Sequence, residues 1–211
     1  RVTADESPHG GVPLSKGTVK GSKLVCAYHG LRFDATGRCN HIPAQPAAKP
    51  AERLNLRLLP VIQRYGLVWT CLVSHPQGEI PPMPTWTDSE HQPILPVPVD
   101  IAGSAGRQVE GFVDVAHFAF IHADAFADPD DPVVPLYETT VTEDGLRTNY
   151  VSPISNYPKH LHHLAPPDFS WQRIYEVYPP FTARLTVHFP EGGLLNILNA
   201  ASPSTAATTR L

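Results

Sequence analysis

The sequence predicts an α+β protein that is mostly β, with two antiparallel parts in succession. Three observations predict it. Proline and glycine are frequent, at 24 and 14 of 211 residues, and such punctuation favours turns and short strands over long helices. Short runs of alternating apolar residues recur before about residue 75 and again after residue 132. Between them one stretch, 107–122, has the spacing of an apolar helix face.

In chain order, Gly10-Gly11 opens a loop that continues through Pro13-Leu14-Ser15, and Lys16-Gly17 and Lys20-Gly21 mark turns. Lys23-Leu24-Val25 reads as a strand leading into the loop at Cys26. Residues 31–34 alternate as another, and Ala35-Thr36-Gly37 turns the chain. After a proline-rich passage from Pro43 to Pro50, residues 54–61 and 66–73 read as two further strands. This suits a small antiparallel β domain over residues 1–75. Residues 76–106 hold seven prolines, from Pro76 to Pro98, with little periodicity. That density resists helices and interior strands, so a linker is expected there. In 107–122, Val109, Phe112, Val113, Ala116 and Phe120 share one helical face. Residues 127–132 form an acidic, turn-rich loop. Residues 133–141, 146–151, 171–177, 181–189 and 194–200 read as the strands of a second sheet, with the helix laid over it. The second domain is thus expected over 107–211. Trp171, Tyr175, Phe181 and Phe189 are expected in its core, and Lys159-His160-Leu161-His162-His163 in an exposed loop.

A hydrophobic share of 42% is enough for a packed core and argues against wholesale disorder. Charged residues make up 17% and the formal net charge is −4, which is no basic footprint, so nucleic acid is not an expected partner. Three cysteines, Cys26, Cys39 and Cys71, do not make a secreted disulfide framework, and a cytoplasmic setting is expected. No apolar run reaches the roughly 18 residues of a membrane span, and the first residues are not a signal peptide. Both ends read as interrupted strands, so the chain is expected to be an internal fragment.

Two short loops carry the first candidate site. One is Ser7-Pro8-His9-Gly10-Gly11 and the other Cys26-Ala27-Tyr28-His29-Gly30, with sixteen residues between His9 and Cys26. A soft thiolate and an imidazole in one loop are ligand types for iron–sulfur clusters or zinc. Gly10, Gly11 and Gly30 allow close backbone approach, so amide N–H groups can point at sulfur. Zinc would need a fourth ligand that Ser7 supplies poorly. Cys39 and His41 could help in principle, but strand and turn roles are expected of them, and a core role of Cys71. The arrangement resembles the ligand pattern of a Rieske [2Fe–2S] centre, Cys-x-His, about sixteen residues, then Cys-x2-His. Three of its four positions are His9, Cys26 and His29; the fourth is Ser7, where the pattern has cysteine. The resemblance implies that Ser7 and Cys26 hold one iron, and His9 and His29 the other. Neutral imidazole in place of thiolate raises the reduction potential by on the order of hundreds of millivolts. A serine hydroxyl is a hard, reluctantly ionised ligand. A weakened cluster, a lowered potential and failed assembly all stand open.

The second candidate site lies on the expected helix. Asp114 and His117 are three apart and share a face. His117 and His122 are five apart, about 140° around an ideal helix, so they can share a metal only where the helix ends or distorts between them. The spacing Asp-x2-His-x4-His resembles the iron motif of Rieske oxygenase α subunits. In that family two histidines and a later aspartate form a 2-His-1-carboxylate triad for non-haem Fe(II), with open positions for O2 and substrate. The resemblance implies His117 and His122 as iron ligands. It implies Asp114 as the electron-transfer bridge to the Rieske centre of a neighbouring subunit. The family usually has asparagine where Gly111 stands, and a glycine there costs the helix roughly 1 kcal/mol. No aspartate follows Asp168, so the third ligand is expected beyond these residues.

The resemblance covers essentially the whole chain and is nearest to the vanillate O-demethylase-like branch of the Rieske non-haem iron aromatic ring-hydroxylating oxygenases. It implies a Rieske β domain followed by a helix-grip catalytic domain, truncated at both ends. The implied cofactors are a [2Fe–2S] Rieske cluster and mononuclear Fe(II). The implied partners are a reductase or ferredoxin electron donor, O2 and a small aromatic substrate that is hydroxylated or oxidatively demethylated. The implied assembly is a homotrimer. Two other readings stand beside this one. A Rieske electron carrier needs no second domain, so residues 107–211 argue against it. A degenerate, non-catalytic homologue is supported by Ser7, Gly111 and the third ligand's absence from 169–211.

Overall fold

A computed structural model describes residues 1–76, 78–123 and 125–211. It divides into two units, Arg1–Ile80 and Pro81–Leu211. The division falls inside the stretch expected as a linker, and the remainder of that stretch belongs with the second unit.

The first unit begins with β1 (Val2–Thr3). Then β2 (Thr18–Lys20), β3 (Lys23–Val25), β4 (Arg32–Phe33) and β5 (Cys39–His41) form an antiparallel sheet in chain order. β6 (Leu58–Leu59) returns to pair with β1. β7 (Val61–Arg64) and β8 (Leu67–Thr70) form a hairpin. Tyr65 and Gly66, both at positive φ, make its two-residue turn, the backbone twist that such hairpins require. The single strand expected over 54–61 is divided. Glu52–Leu54 is a 3-10 turn, and Pro60, with no N–H to give a ladder, separates β6 from β7. Leu14, Leu31, Phe33 and Leu54 pack with the Cys26 and Cys39 side chains in one small core. Phe33 is fully buried, which stabilises the unit by about 1.5–3 kcal/mol.

In the second unit, β9 (Asp100–Ile101) precedes α1 (Ala105–Val113) and the single turn α2 (Phe118–Ile121). A five-stranded antiparallel meander follows: β10 (Glu138–Val141), β11 (Leu146–Ser152), β12 (Trp171–Tyr178), β13 (Thr182–His188) and β14 (Leu194–Ala200). β15 (Ser202–Pro203) and β16 (Thr209–Arg210) form a second small sheet with β9. Four strands of the meander match the run their alternation predicts to within one residue at each end. β10 fills only the second half of its run, beginning at Glu138 after Pro132 and Pro135. On β12 the buried residues are Trp171, Arg173 and Tyr175, and across the ladder Tyr150 faces Arg173, which faces Val187. That face carries the core. Trp171 and Tyr175 belong to it, and Phe189 packs partly buried against it, while Phe181 packs partly buried against the α1 contact. Ala105 and Val109 of α1 pack on Ala183 and Ala201.

The helix expected over 107–122 is two helices. α1 is capped by Ser104, whose hydroxyl accepts the Arg107 N–H at 3.4 Å. It ends at Val113 because Asp114 turns extended, at φ −70° and ψ 126°. The Asp114 carboxylate then accepts the Ala116 N–H at 2.8 Å, a local bond that replaces a helical one. Phe120, expected on the buried face, is 63% exposed as a result. The expected loop at 159–163 is a 3-10 helix, Lys159–Leu164, with no residue buried. Among the described residues no helix is long and apolar enough to cross a membrane.

Two glycine substitutions should shift stability in opposite directions. Gly145 turns the β10–β11 hairpin at φ +151°, and a Cβ there would stand 2.0 Å from the Val177 carbonyl oxygen. Gly145→Ala is expected to lower unfolding free energy by about 2 kcal/mol. Gly111 has open space around its Cβ position, so Gly111→Ala is expected to raise it by about 0.5–1 kcal/mol. Urea titrations of the two variants check both signs.

Candidate metal centres

The first unit builds two loops on one plan. In the first, the Ser7 N–H donates to the Val12 carbonyl at 2.9 Å, and the Gly11 N–H donates back to the Ser7 carbonyl at 2.9 Å. In the second, the Cys26 N–H donates to the Leu31 carbonyl at 2.9 Å, and the Gly30 N–H donates back to the Cys26 carbonyl at 3.1 Å. Gly11 and Gly30 close the loops at φ +67° and +70°, where a side chain would be strained. Ser7 and Cys26 therefore hold equivalent places, 2% and 4% exposed. Asp5 anchors the first loop by accepting the Ser15 N–H at 2.6 Å and the Ser15 hydroxyl at 2.7 Å. Those two bonds hold its carboxyl below the usual carboxylate range.

The loops bring the two imidazoles together at the surface. His9 and His29 face each other through Nδ1 atoms 3.1 Å apart, with ring centroids 4.8 Å apart. Tyr28 lies against His29 with its ring centroid 3.8 Å away. It also closes over Gly10, where a Cβ would sit 3.4 Å from the Tyr28 ring. Two imidazoles that bring the same ring nitrogen together suit one iron of a [2Fe–2S] cluster. In the two loops Cys26 can offer a thiolate, and Ser7 offers a hydroxyl in the matching place. The imidazole side fits the cluster; the sulfur side is one soft ligand short. Among the described residues no three His, Cys, Asp or Glu side chains are grouped to hold a single metal ion. Cys39 does not substitute for Ser7. Its thiol lies 4.0 Å from the His41 carbonyl of its own strand, and its N–H donates to Asn55 at 2.9 Å.

In the second unit the break after Val113 swings His117 and His122 onto the same side. Their ring centroids are 5.1 Å apart, tilted by 57°. The His117 carbonyl accepts the N–H of Ile121 at 2.8 Å, and the His122 N–H donates to the Phe118 carbonyl at 3.2 Å, so a single helical turn fixes both. Asp114 Oδ2 lies 3.8 Å from His117 Nδ1, beside the pair. Two imidazoles with a free approach are a fitting part-shell for a divalent iron. The rings rest on aromatic neighbours. His122 stacks on Phe126 at 5.0 Å and 22°, and the Phe118 ring stands 5.1 Å from His117 and 6.0 Å from His122.

Of the seven residues singled out from sequence, His9 meets His29 and His117 meets His122, Asp114 lies beside His117, and Ser7 and Cys26 hold matching places in the two loops of the first unit. Three neighbours were not foreseen: Tyr28, Phe126 and Arg173. Arg173 carried a readable signal, because it shares the alternation phase of Trp171 and Tyr175 in an apolar strand. Tyr28 and Phe126 carried none, since their contacts depend on loop conformation.

Comparison with known proteins identifies the family of both units. Residues 1–63 match the family model of the Rieske [2Fe-2S] domain, and residues 101–211 match that of the vanillate O-demethylase oxygenase C-terminal domain. Methylxanthine N1-demethylase NdmA of Pseudomonas putida is 35% identical over 136 residues, covering 63% of this chain and 39% of that protein. The vanillate O-demethylase oxygenase subunit of a Pseudomonas species is 30% identical over 155 residues, covering 70% of this chain and 45% of that protein. The solved structure of Pseudomonas putida NdmA with caffeine superposes with a TM-score of 0.84 at 29% identity, over 99% of this chain and 59% of that one. The matched region spans less than two thirds of the length of each of these relatives.

The second site has a pH signature. Burial first, and the His117 charge second, hold the His122 imidazole below its ordinary value of 6.5. As pH falls the unfolded chain takes up this proton before the folded one. Stability from this group is therefore present above 6.5 and is lost as pH falls through the lower folded value. Thermal melts at about pH 7.5 and about pH 5 should show a smaller acid-induced drop in Tm for His122→Asn than for the wild type.

Proposed function

Since the chain belongs to the vanillate O-demethylase oxygenase family, with a Rieske [2Fe–2S] domain ahead of that family's C-terminal domain, we propose that it is part of the oxygenase component of a Rieske-type oxygenase. In this reading it uses O2 and electrons supplied by a separate reductase or ferredoxin to hydroxylate or oxidatively demethylate a small aromatic compound. The working assembly is a homotrimer. The observation that carries the reading is an imidazole pair in each unit, His9 with His29 and His117 with His122.

His117 and His122 would hold the mononuclear iron, which when bound supplies the activation of O2. The chain's own contribution is geometric. The turn at 114–117 sets the two rings on one side, and the Phe118 and Phe126 rings limit how far they can swing. We assign Asp114 the bridging role toward a neighbouring subunit. Its carboxylate lies beside His117 and half open to solvent, and the Ala116 N–H fixes its direction. His9, His29 and Cys26 would hold the [2Fe–2S] cluster, with Ser7 in the fourth place. A serine hydroxyl is a hard, reluctantly ionised donor and a poor replacement for the thiolate that a cluster iron takes in that place.

Two measurements test this. Iron and acid-labile sulfide analysis with EPR of the dithionite-reduced protein should show a sparse or shifted Rieske signal in the wild type. Ser7→Cys should bring the full complement. If neither form takes up iron and sulfide, the degenerate homologue is the correct reading. Separately, His117→Ala and His122→Ala should each remove mononuclear iron and leave acid-labile sulfide unchanged; loss of both together would contradict two independent sites.

A further inference from the structure

Arg173 is among the most deeply buried large side chains in the protein, 1% exposed, and it sits mid-strand in the apolar core of the second unit. Its Nη1 donates to the Ser152 hydroxyl at 3.0 Å, and its Nη2 donates to the Ile154 carbonyl at 2.6 Å and to the Asn156 side-chain oxygen. All three acceptors are neutral. Among the described residues no carboxylate lies within ion-pair distance of it, and its Nε has no hydrogen-bond partner. A guanidinium stays protonated in such a setting, so the cation has no counter-charge among the described residues. An apolar side chain would fill the same face without that desolvation cost.

The cation lies over two rings. Its Cζ lies 5.4 Å from the Phe118 centroid and 5.7 Å from that of Tyr150, within the range of cation–π attraction. Phe118 is the residue after His117, its carbonyl takes the His122 N–H, and its ring stands edge-on to both imidazoles. Arg173 also holds the 152–156 segment, and three residues on the Lys159 N–H donates to the Ala125 carbonyl at 2.9 Å, next to the Phe126 ring that stacks on His122. One side chain therefore grips both the ring between the two histidines and the loop that secures the backbone behind them.

We infer that Arg173 is a positioning residue for the His117–His122 pair, acting through the Phe118 ring and the 152–156 segment. The inference rests on the reading of that pair as iron ligands, and it adds a supporting layer on the sheet beneath them. Ligand-orienting neighbours of this kind change metal affinity when removed, although they touch no metal.

The test uses metal-free NMR first. Nuclear Overhauser contacts from the Phe118 ring to both imidazoles are expected in the wild type. They are also expected in Arg184→Met, a control that removes another buried arginine, paired with Glu176 on the opposite sheet face. Arg173→Met should lose at least one of these contacts while keeping its folded spectrum, and Arg173→Lys should recover part of the loss. Should Arg173→Met fail to fold, Arg173→Gln is read in the same way. Wild-type contacts in a folded Arg173→Met or Arg173→Gln would overturn the inference. Co(II) titration followed by visible absorption then reads the consequence, with affinity expected to fall about tenfold or more in Arg173→Met and to hold in Arg184→Met. Unchanged Co(II) affinity in Arg173→Met would also overturn it. If the wild type binds Co(II) no better than His117→Ala/His122→Ala, the metal reading fails, and the ring contacts still decide whether Arg173 positions the pair.

Discussion

His117 and His122 can face one another only because the helix that begins at Ala105 ends at Val113. Five residues along an unbroken helix would set the two imidazoles about 140° apart. Asp114 makes the break: its backbone turns extended and its carboxylate takes the Ala116 N–H. The chain restarts as one turn, and that turn carries both histidines at its ends, His117 before it and His122 after it. The cost is local. Helical hydrogen bonds are given up at the break, and Phe120 is left facing solvent. The gain is a pair of rings with centroids 5.1 Å apart.

A different device solves the same problem in the first unit. There no helix is involved, and each candidate ligand is placed by a loop closed with two backbone bonds and a glycine at positive φ. Because both loops follow one plan, Ser7 stands where Cys26 stands in its own loop. The substitution therefore leaves the backbone intact and alters only donor chemistry, exchanging a soft, readily ionised sulfur for a hard oxygen. Fold and cofactor affinity separate at that residue: the loop needs a small side chain, and the cluster needs a thiolate.

The second site is supported from below by a charge. Arg173 would be an error in a core judged by burial alone, yet its three neutral acceptors and two aromatic faces satisfy most of what a guanidinium requires. Burial also pushes the Tyr175 phenol well above its ordinary value, so the phenol stays protonated next to that cation. The result is a polar layer inside an apolar sheet face, under the turn that carries both imidazoles.

Much of this was legible in the sequence, for a physical reason. Strand alternation and proline placement are local, so four of the five strands of the meander could be placed to within a residue at each end. The two ligand motifs are local as well, because a loop or a turn of a few residues determines which side chains can meet. Even the need for a break between His117 and His122 follows from helical geometry alone. What only the tertiary structure decided is longer in range. The convergence of His9 and His29 needs two loops separated by sixteen residues to meet. The placement of Arg173 beneath Phe118 needs a strand, a loop and a helical turn to pack together, and no local pattern encodes that packing.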